Sequence, residues 1–111
     1  MDIKVTKEGE TTVVAPDGDL DMAVADQFRR TLTDLIDQKQ GRLLLDLGRV
    51  AYIDSSGLGA LVAALKHGRS LGGDIRLCDL QSDVRAIFEM TRLVKILEIY
   101  GSRREAIAAW A

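Results

Sequence analysis

Hydrophobic and polar residues alternate at the start of the chain. Ile3 and Val5 are separated by Lys4, and the β-branched segment TTVVAPDG follows after a break at residues 8–10. A period of two is typical of a strand with one buried face, and a glycine-containing break joins two such strands. The pattern predicts a β-hairpin.

A helical period replaces this alternation from Met22 to about Gln40. The apolar positions of this segment fall on one helical face; they are Ala25, Phe28, Leu32, Leu35 and Ile36. Gly41 is expected to end the helix, because glycine favours the position just past a helix C-terminus. A second helix is predicted from about Ser56 to Ser70, and a third begins after Ser82, whose hydroxyl can cap it.

Short apolar runs separate these helices. RLLLDLGRV is almost continuously apolar, like a strand covered on both faces. DIRLCDL is a further predicted strand, LEIY a short last strand, and SRREAIAAWA a terminal helix. Strands that alternate with helices from residue 42 onward are expected to be parallel, with right-handed crossovers. The expected fold is therefore α/β: one domain over residues 1–111, with a mixed, mostly parallel sheet of four to five strands and four to five helices.

Composition excludes several classes of function. The net charge is −2 and no run of Lys or Arg exceeds two residues, so the basic footprint of a nucleic-acid binder is missing. One cysteine cannot form an internal disulfide, and with a single histidine it cannot make a Cys/His zinc site. The N-terminus has no apolar signal-peptide segment, and no apolar run approaches the ~20 residues that cross a bilayer. These features predict a cytoplasmic protein that contacts neither nucleic acid nor a membrane.

The segment IDSSGLG, residues 53–59, lies where a predicted strand leads into a helix. Ligands of open α/β sheets bind at this edge. Asp54, Ser55 or Ser56 could cap the helix, a contribution of ~1 kcal/mol. A serine here could also accept a phosphate, because a helix N-terminus favours negative charge and Gly57 and Gly59 keep the surface bare. A strip of small residues continues along the helix and could seat a partner; its members are Ala60, Ala63 and Ala64.

A serine nucleophile is not expected. His67 is eleven residues beyond Ser56 on the same helix, about 16 Å away at 1.5 Å per residue, which is too far for a general base. The pattern G-x-S-x-G is also absent. The sequence therefore predicts no catalytic residue, no enzymatic activity and no cofactor.

Three acids, Asp17, Asp19 and Asp21, have the D-x-D-x-D spacing that begins a calcium loop. Met22 stands at the sixth position, where glycine is needed, and Phe28 at the twelfth, where a bidentate glutamate is needed. Calcium is thereby rejected, and no metal is expected in the fold. Two interpretations remain. The segment is a turn followed by a helix cap from Asp21, or it is an acidic rim close to residues 53–59, which we call the serine loop.

These motifs resemble the STAS family, whose best-known members are bacterial anti-sigma factor antagonists. The matching segments are V-x-P-x-G-D-L-D at 14–21, LLLDLGRVAYIDSSGLGAL at 43–61 and EIYGSRREAI at 98–107. The resemblance implies that Ser56 is phosphorylated by a partner anti-sigma factor, itself a serine kinase that uses ATP and Mg²⁺. It also implies that a serine phosphatase removes the phosphate. The unphosphorylated antagonist sequesters the kinase, which frees a sigma factor and so regulates transcription.

The same resemblance implies a partner-binding surface around the acceptor. Its residues are Asp21, Asp54, Ser55, Ser56, Gly57, Leu58 and Gly59. One position departs from the family pattern: Arg92 stands before Leu93 where relatives often have glycine, which leaves the end of the third helix open. The alternative role is that of an accessory subunit in a lipid-transport or stress-signalling complex, which would not need Ser56 as an acceptor.

Overall fold

The structure, a computed structural model, describes residues 1–110. It contains one five-stranded sheet in the order β1-β2-β3-β4-β5. The strands are β1 (Asp2–Glu8), β2 (Thr11–Asp17), β3 (Arg42–Asp46), β4 (Asp74–Cys78) and β5 (Ile99–Tyr100). β1 pairs antiparallel with β2, and the remaining pairs are parallel. The predicted hairpin and the mixed, mostly parallel sheet are both confirmed.

Four α-helices connect and flank the strands. They are α1 (Ala25–Asp37), α2 (Ser55–Ser70), α3 (Ser82–Met90) and α4 (Arg103–Ala109), with a 3₁₀ turn at Leu93–Lys95. Residue 111, which the sequence assigned to the terminal helix, lies outside the described residues. Within residues 1–110, no helix is both long enough and apolar enough to cross a membrane.

The sheet separates two cores. The larger core packs α1, α2 and α3 against one face of the sheet, with Phe28, Leu61 and Phe88 buried at its centre. The smaller core lies on the other face, where Leu44 and Cys78 are buried with Ala106 of α4. Because β3 is covered on both faces, its Leu-Leu-Leu run is apolar without alternation.

Two predicted boundaries of α1 are wrong. The helix begins at Ala25 rather than Met22, after a turn, and it ends at Asp37. Lys39 takes the left-handed conformation with φ 65°, so Gly41 does not end the helix. The close backbone approach in this region requires glycine at position 73 rather than 41, since a Cβ on Gly73 would lie 2.7 Å from the Gly41 carbonyl oxygen, whereas a Cβ on Gly41 would meet only Gly73 Cα, at 3.9 Å.

The ends of α3 also differ from the expectation. Ser82 is its first residue and not its cap; the N-cap is Gln81, which makes no capping bond through its side chain. After the helix, Arg92 adopts the left-handed conformation with φ 63°. This conformation favours glycine, which is the residue of the family pattern at this position. Arginine adopts it here, and α3 still ends at Met90.

Candidate functional site

The serine loop lies beyond the carboxyl end of β3, as the sequence predicts, and is held there by the segment that follows β2. Leu20 and Ile53 form an isolated parallel bridge. The Leu20 N–H donates to the Tyr52 carbonyl at 3.0 Å, and the Asp54 N–H donates to the Leu20 carbonyl at 3.2 Å. These bonds place the segment with Asp17, Asp19 and Asp21, which we call the acidic turn, next to the start of α2.

Asp54 is the N-cap of α2. Its Oδ1 accepts from the Gly57 N–H at 3.0 Å, which satisfies one of the helix-terminal amides that lack an acceptor within the helix. Its Oδ2 accepts from the Met22 N–H at 3.1 Å. One carboxylate therefore joins the start of the helix to the acidic turn.

Gly57 is buried at the closest approach between these two segments. A Cβ at this position would lie 2.3 Å from the Leu20 carbonyl oxygen and 2.9 Å from Ile53 Cγ1. Glycine is required here because backbone atoms fill the space, so its role is structural. A Cβ on the nearby Gly59 would meet nothing within 4 Å, and this exposed position leaves the surface open.

Ser55 and Ser56 are the first two residues of α2. Ser55 is exposed and Ser56 is half-buried. The first N–H groups of a helix have no acceptor within it and carry the positive end of its dipole. Both serines thus lie where an added phosphate is electrostatically favourable.

The other residues predicted around the loop divide into buried and exposed ones. Leu58 is half-buried and packs against the larger core. Ala60 and Ala64 are buried in that core, and only Ala63 is exposed. The predicted strip of small residues is therefore wrong, because two of its three members face inward.

Asp21 does not cap α1, so that interpretation is wrong. Its Oδ1 accepts from the Ala23 N–H at 3.0 Å and closes the turn before the helix. The N-cap of α1 is Val24, with no capping bond from its side chain. Since the neighbouring Met22 bonds to Asp54, Asp21 lies beside the serine loop, as the alternative interpretation of an acidic rim requires.

The carboxylates of the three rim acids do not converge. Within residues 1–110, Asp17, Asp19 and Asp21 are not a group whose oxygens approach within 4.8 Å of one another. Asp17 instead pairs with Arg49 at 3.4 Å.

One group of potential ligands in the described residues does come together, at Asp46, Cys78 and Asp79. Asp46 already accepts from the Arg103 guanidinium at 2.8 Å. Burial, and then the neighbouring Asp46 carboxylate, raise the pKa of the Cys78 thiol far above its ordinary value. A cation would have to displace both the Arg103 guanidinium and the Cys78 thiol proton. The bond from Arg103 to Asp46 instead joins α4 to β3 of the sheet.

The sequence missed two exposed apolar residues beside the loop. Met22 is 78% exposed and Tyr52 is 50% exposed, although the backbones of both are hydrogen-bonded into the site. No local signal reveals them, because an apolar residue in a turn has the same pattern whether it faces the core or the solvent. The helical pattern instead predicts Met22 at the start of a helix.

His67 is far from the serines, as predicted. It lies near the other end of α2, where its Nε2 is 2.6 Å from Asp37 Oδ1 of α1. It links the two helices and is not a partner of the serine loop.

Replacing Asp54 tests the two hydrogen bonds that its carboxylate accepts, from Gly57 and from Met22. Asp54→Ala is expected to lower the free energy of unfolding by about 2 kcal/mol, since it removes an N-cap and a second charge-assisted hydrogen bond. Asp54→Asn keeps one acceptor oxygen and should lose about half as much. Denaturant unfolding measures both, with Asp19→Ala, at an exposed acid, as the matched control within about 0.5 kcal/mol of wild type. An Asp54→Ala variant as stable as the control would contradict the assignment.

Comparison with known proteins identifies the family. BtrV of Bordetella bronchiseptica, itself proposed as an anti-sigma factor antagonist, is 32% identical over 110 residues, 99% of this chain and 95% of BtrV. The anti-sigma F factor antagonist of Paenibacillus polymyxa is 28% identical over 108 residues, 96% of this chain and 92% of that protein.

Solved structures show the same fold. The phosphorylated form of SpoIIAA, a Bacillus cell fate determinant, matches with TM-score 0.75 at 21% identity, over 99% of this chain and 100% of that one. The family model of the STAS domain matches residues 2–106 of this chain. The chain described here belongs to the STAS domain family.

Proposed function

We propose that this protein is an anti-sigma factor antagonist whose binding is switched by phosphorylation of Ser56. In the unphosphorylated state it binds an anti-sigma factor that is a serine kinase, and a sigma factor is released. The kinase supplies ATP and Mg²⁺ and transfers phosphate to the Ser56 hydroxyl. A serine phosphatase restores the binding-competent state.

The observation that carries this proposal is the construction of the serine loop. Ser56 is in the first turn of α2, and the hydrogen bonds of Asp54 and Leu20 fix that turn to the acidic segment. A phosphate there gains from the helix dipole but adds negative charge next to Asp54. The same modification therefore keeps the fold while changing the charge of the surface that the partner meets.

The relatives support the class of partner. Two proteins that match this chain along nearly all of its length are named as anti-sigma factor antagonists. A protein of the same fold, SpoIIAA, exists in a phosphorylated form. The proposed partner-binding surface comprises Asp21, Asp54, Ser55, Ser56, Leu58 and Gly59, and the buried Gly57 supports it from below.

Phosphate mapping tests the acceptor. Purified anti-sigma factor kinases from the same organism are incubated with the chain, ATP and Mg²⁺, and intact mass is followed by peptide mapping. A cognate kinase is expected to add one phosphate, on Ser56, and ATP with Mg²⁺ alone should leave the mass unchanged.

Ser55→Ala and Ser56→Ala form the matched pair for this experiment. Ser55→Ala should still be phosphorylated, whereas Ser56→Ala should not, although Ser55 is the more exposed of the two. Phosphate on Ser55 would contradict the assignment of the acceptor. A chain that no such kinase binds or modifies would instead favour the accessory-subunit role in a lipid-transport or stress-signalling complex.

A further inference from the structure

We infer that Met22 and Tyr52 are the apolar anchors by which this protein docks on the kinase proposed above. This inference rests on the proposed function and deepens it, because it names side chains that provide binding energy without accepting phosphate. The partner that fits is a kinase surface with an apolar recess for these two side chains and basic residues around it.

The two side chains are exposed although their backbones are fixed. The Met22 N–H donates to Asp54, and the Tyr52 carbonyl accepts from Leu20. Their side chains nevertheless remain 78% and 50% exposed. Anchors held in this way lose little backbone freedom on binding, so more of the energy of contact appears as affinity.

An interface of ordinary size centred on Ser56 is expected to reach both positions. A standard interface buries about 800 Å² on each partner, a patch about 16 Å in radius. Tyr52 precedes Ser56 by four residues, so the two Cα atoms lie within about 14 Å of each other. Met22 bonds directly to Asp54, at 3.1 Å. Both side chains therefore fall inside a patch centred on Ser56.

Chemistry makes these two residues the energetic centre of such a patch. Tyrosine and methionine are enriched in protein interfaces, and truncation of a few central side chains accounts for most of the binding energy. The other exposed groups nearby are mostly small or acidic, among them Ser55, Gly59 and Asp19, and the exposed Arg49 is paired with Asp17 at 3.4 Å. Asp21 and Asp54 add negative charge at the edge, so the complementary surface of the partner is basic around an apolar centre.

The test measures affinity of the unphosphorylated full chain for its purified cognate kinase by calorimetry. Met22→Ala and Tyr52→Ala are each expected to raise Kd by roughly ten- to a hundredfold. In phosphorylation assays the same variants should raise KM for the chain while leaving kcat close to wild type, because Ser56 and its loop are unchanged. The unfolding midpoint of Met22→Ala should match wild type, and that of Tyr52→Ala should be slightly lower, because half of the tyrosine side chain is packed against the fold.

Two equally exposed apolar residues elsewhere provide the matched controls. Met90 is 82% exposed at the end of α3, and Leu71 is 61% exposed just beyond α2. Leu71 lies about 24 Å from Ser55 along the helix axis, outside the expected patch. Met90→Ala and Leu71→Ala should leave Kd within about twofold of wild type.

Three outcomes separate this inference from the proposed function. If the wild-type chain is bound and phosphorylated but the Met22 and Tyr52 variants behave like the controls, only this inference is overturned. If no anti-sigma factor kinase binds the wild-type chain, the proposed function fails and the inference with it. If the wild-type chain dimerises in sedimentation and Met22→Ala does not, a second copy covers the patch and the inference is wrong.

Discussion

Ser56→Asp is expected to weaken binding to the anti-sigma factor by roughly ten- to a thousandfold. The substitution adds a carboxylate next to Asp54, in the surface that we propose is buried against the partner. A buried charge without a counterion costs a few kcal/mol, and each 1.4 kcal/mol is a factor of ten in Kd. Titration calorimetry against the purified partner measures the effect.

Ser56→Ala is the matched control for charge. It removes a hydroxyl and leaves the loop small and neutral, so its complex should have the affinity of the wild type and resist release by ATP. Circular dichroism should show both variants folded, because the first turn of a helix tolerates an acid. Equal affinity of the two variants would mean that Ser56 is only a residue of the helix start.

Gly57→Ala is expected to destabilise the fold by roughly 2 kcal/mol. The new methyl would lie 2.3 Å from the Leu20 carbonyl oxygen, and a backbone atom cannot turn away as a side chain can. Overpacking of this kind typically costs 1–3 kcal/mol or more, and the gain of up to about 1 kcal/mol from helix propensity offsets only part of it. The strain can be relieved only by moving α2 away from Leu20, which breaks the bridge to Ile53.

Gly59→Ala makes the same chemical change two residues later in the same helix. A Cβ there meets nothing within 4 Å, so this variant should be as stable as wild type or up to about 1 kcal/mol more stable. Denaturant unfolding of the two variants gives the comparison directly. Gly57 and Gly59 variants of equal stability would show that the approach of Leu20 to α2 is not as close as described. Gly59→Ala also tests the proposed partner surface, because any loss of affinity in it cannot come from the fold.

The local pattern of the sequence determined the fold class and the place of the site. The period of two predicts β1 and β2, and the glycine of the break has φ 64°. Residues 43–45 form the doubly covered strand that their continuous hydrophobicity indicates. Asp54 caps α2 because an acid just before a helix can reach the third residue within it. Each of these features depends on residues only a few positions apart.

The tertiary structure decided what depends on contacts between distant segments. Gly57 and Gly59 are the same residue in the same helix, yet only Gly57 meets Leu20, which is 37 positions earlier. The second hydrogen bond of Asp54 comes from Met22 and sets Asp21 beside the serine loop, whereas the sequence alone left a helix cap and an acidic rim both open for Asp21. The exposure of Met22 and Tyr52 was likewise fixed by where the loop packs. The hydrophobic pattern of the sequence specifies the period of each segment and which of its faces is apolar. Contacts between distant segments form only when the chain packs, and they determine which side chains a partner can reach.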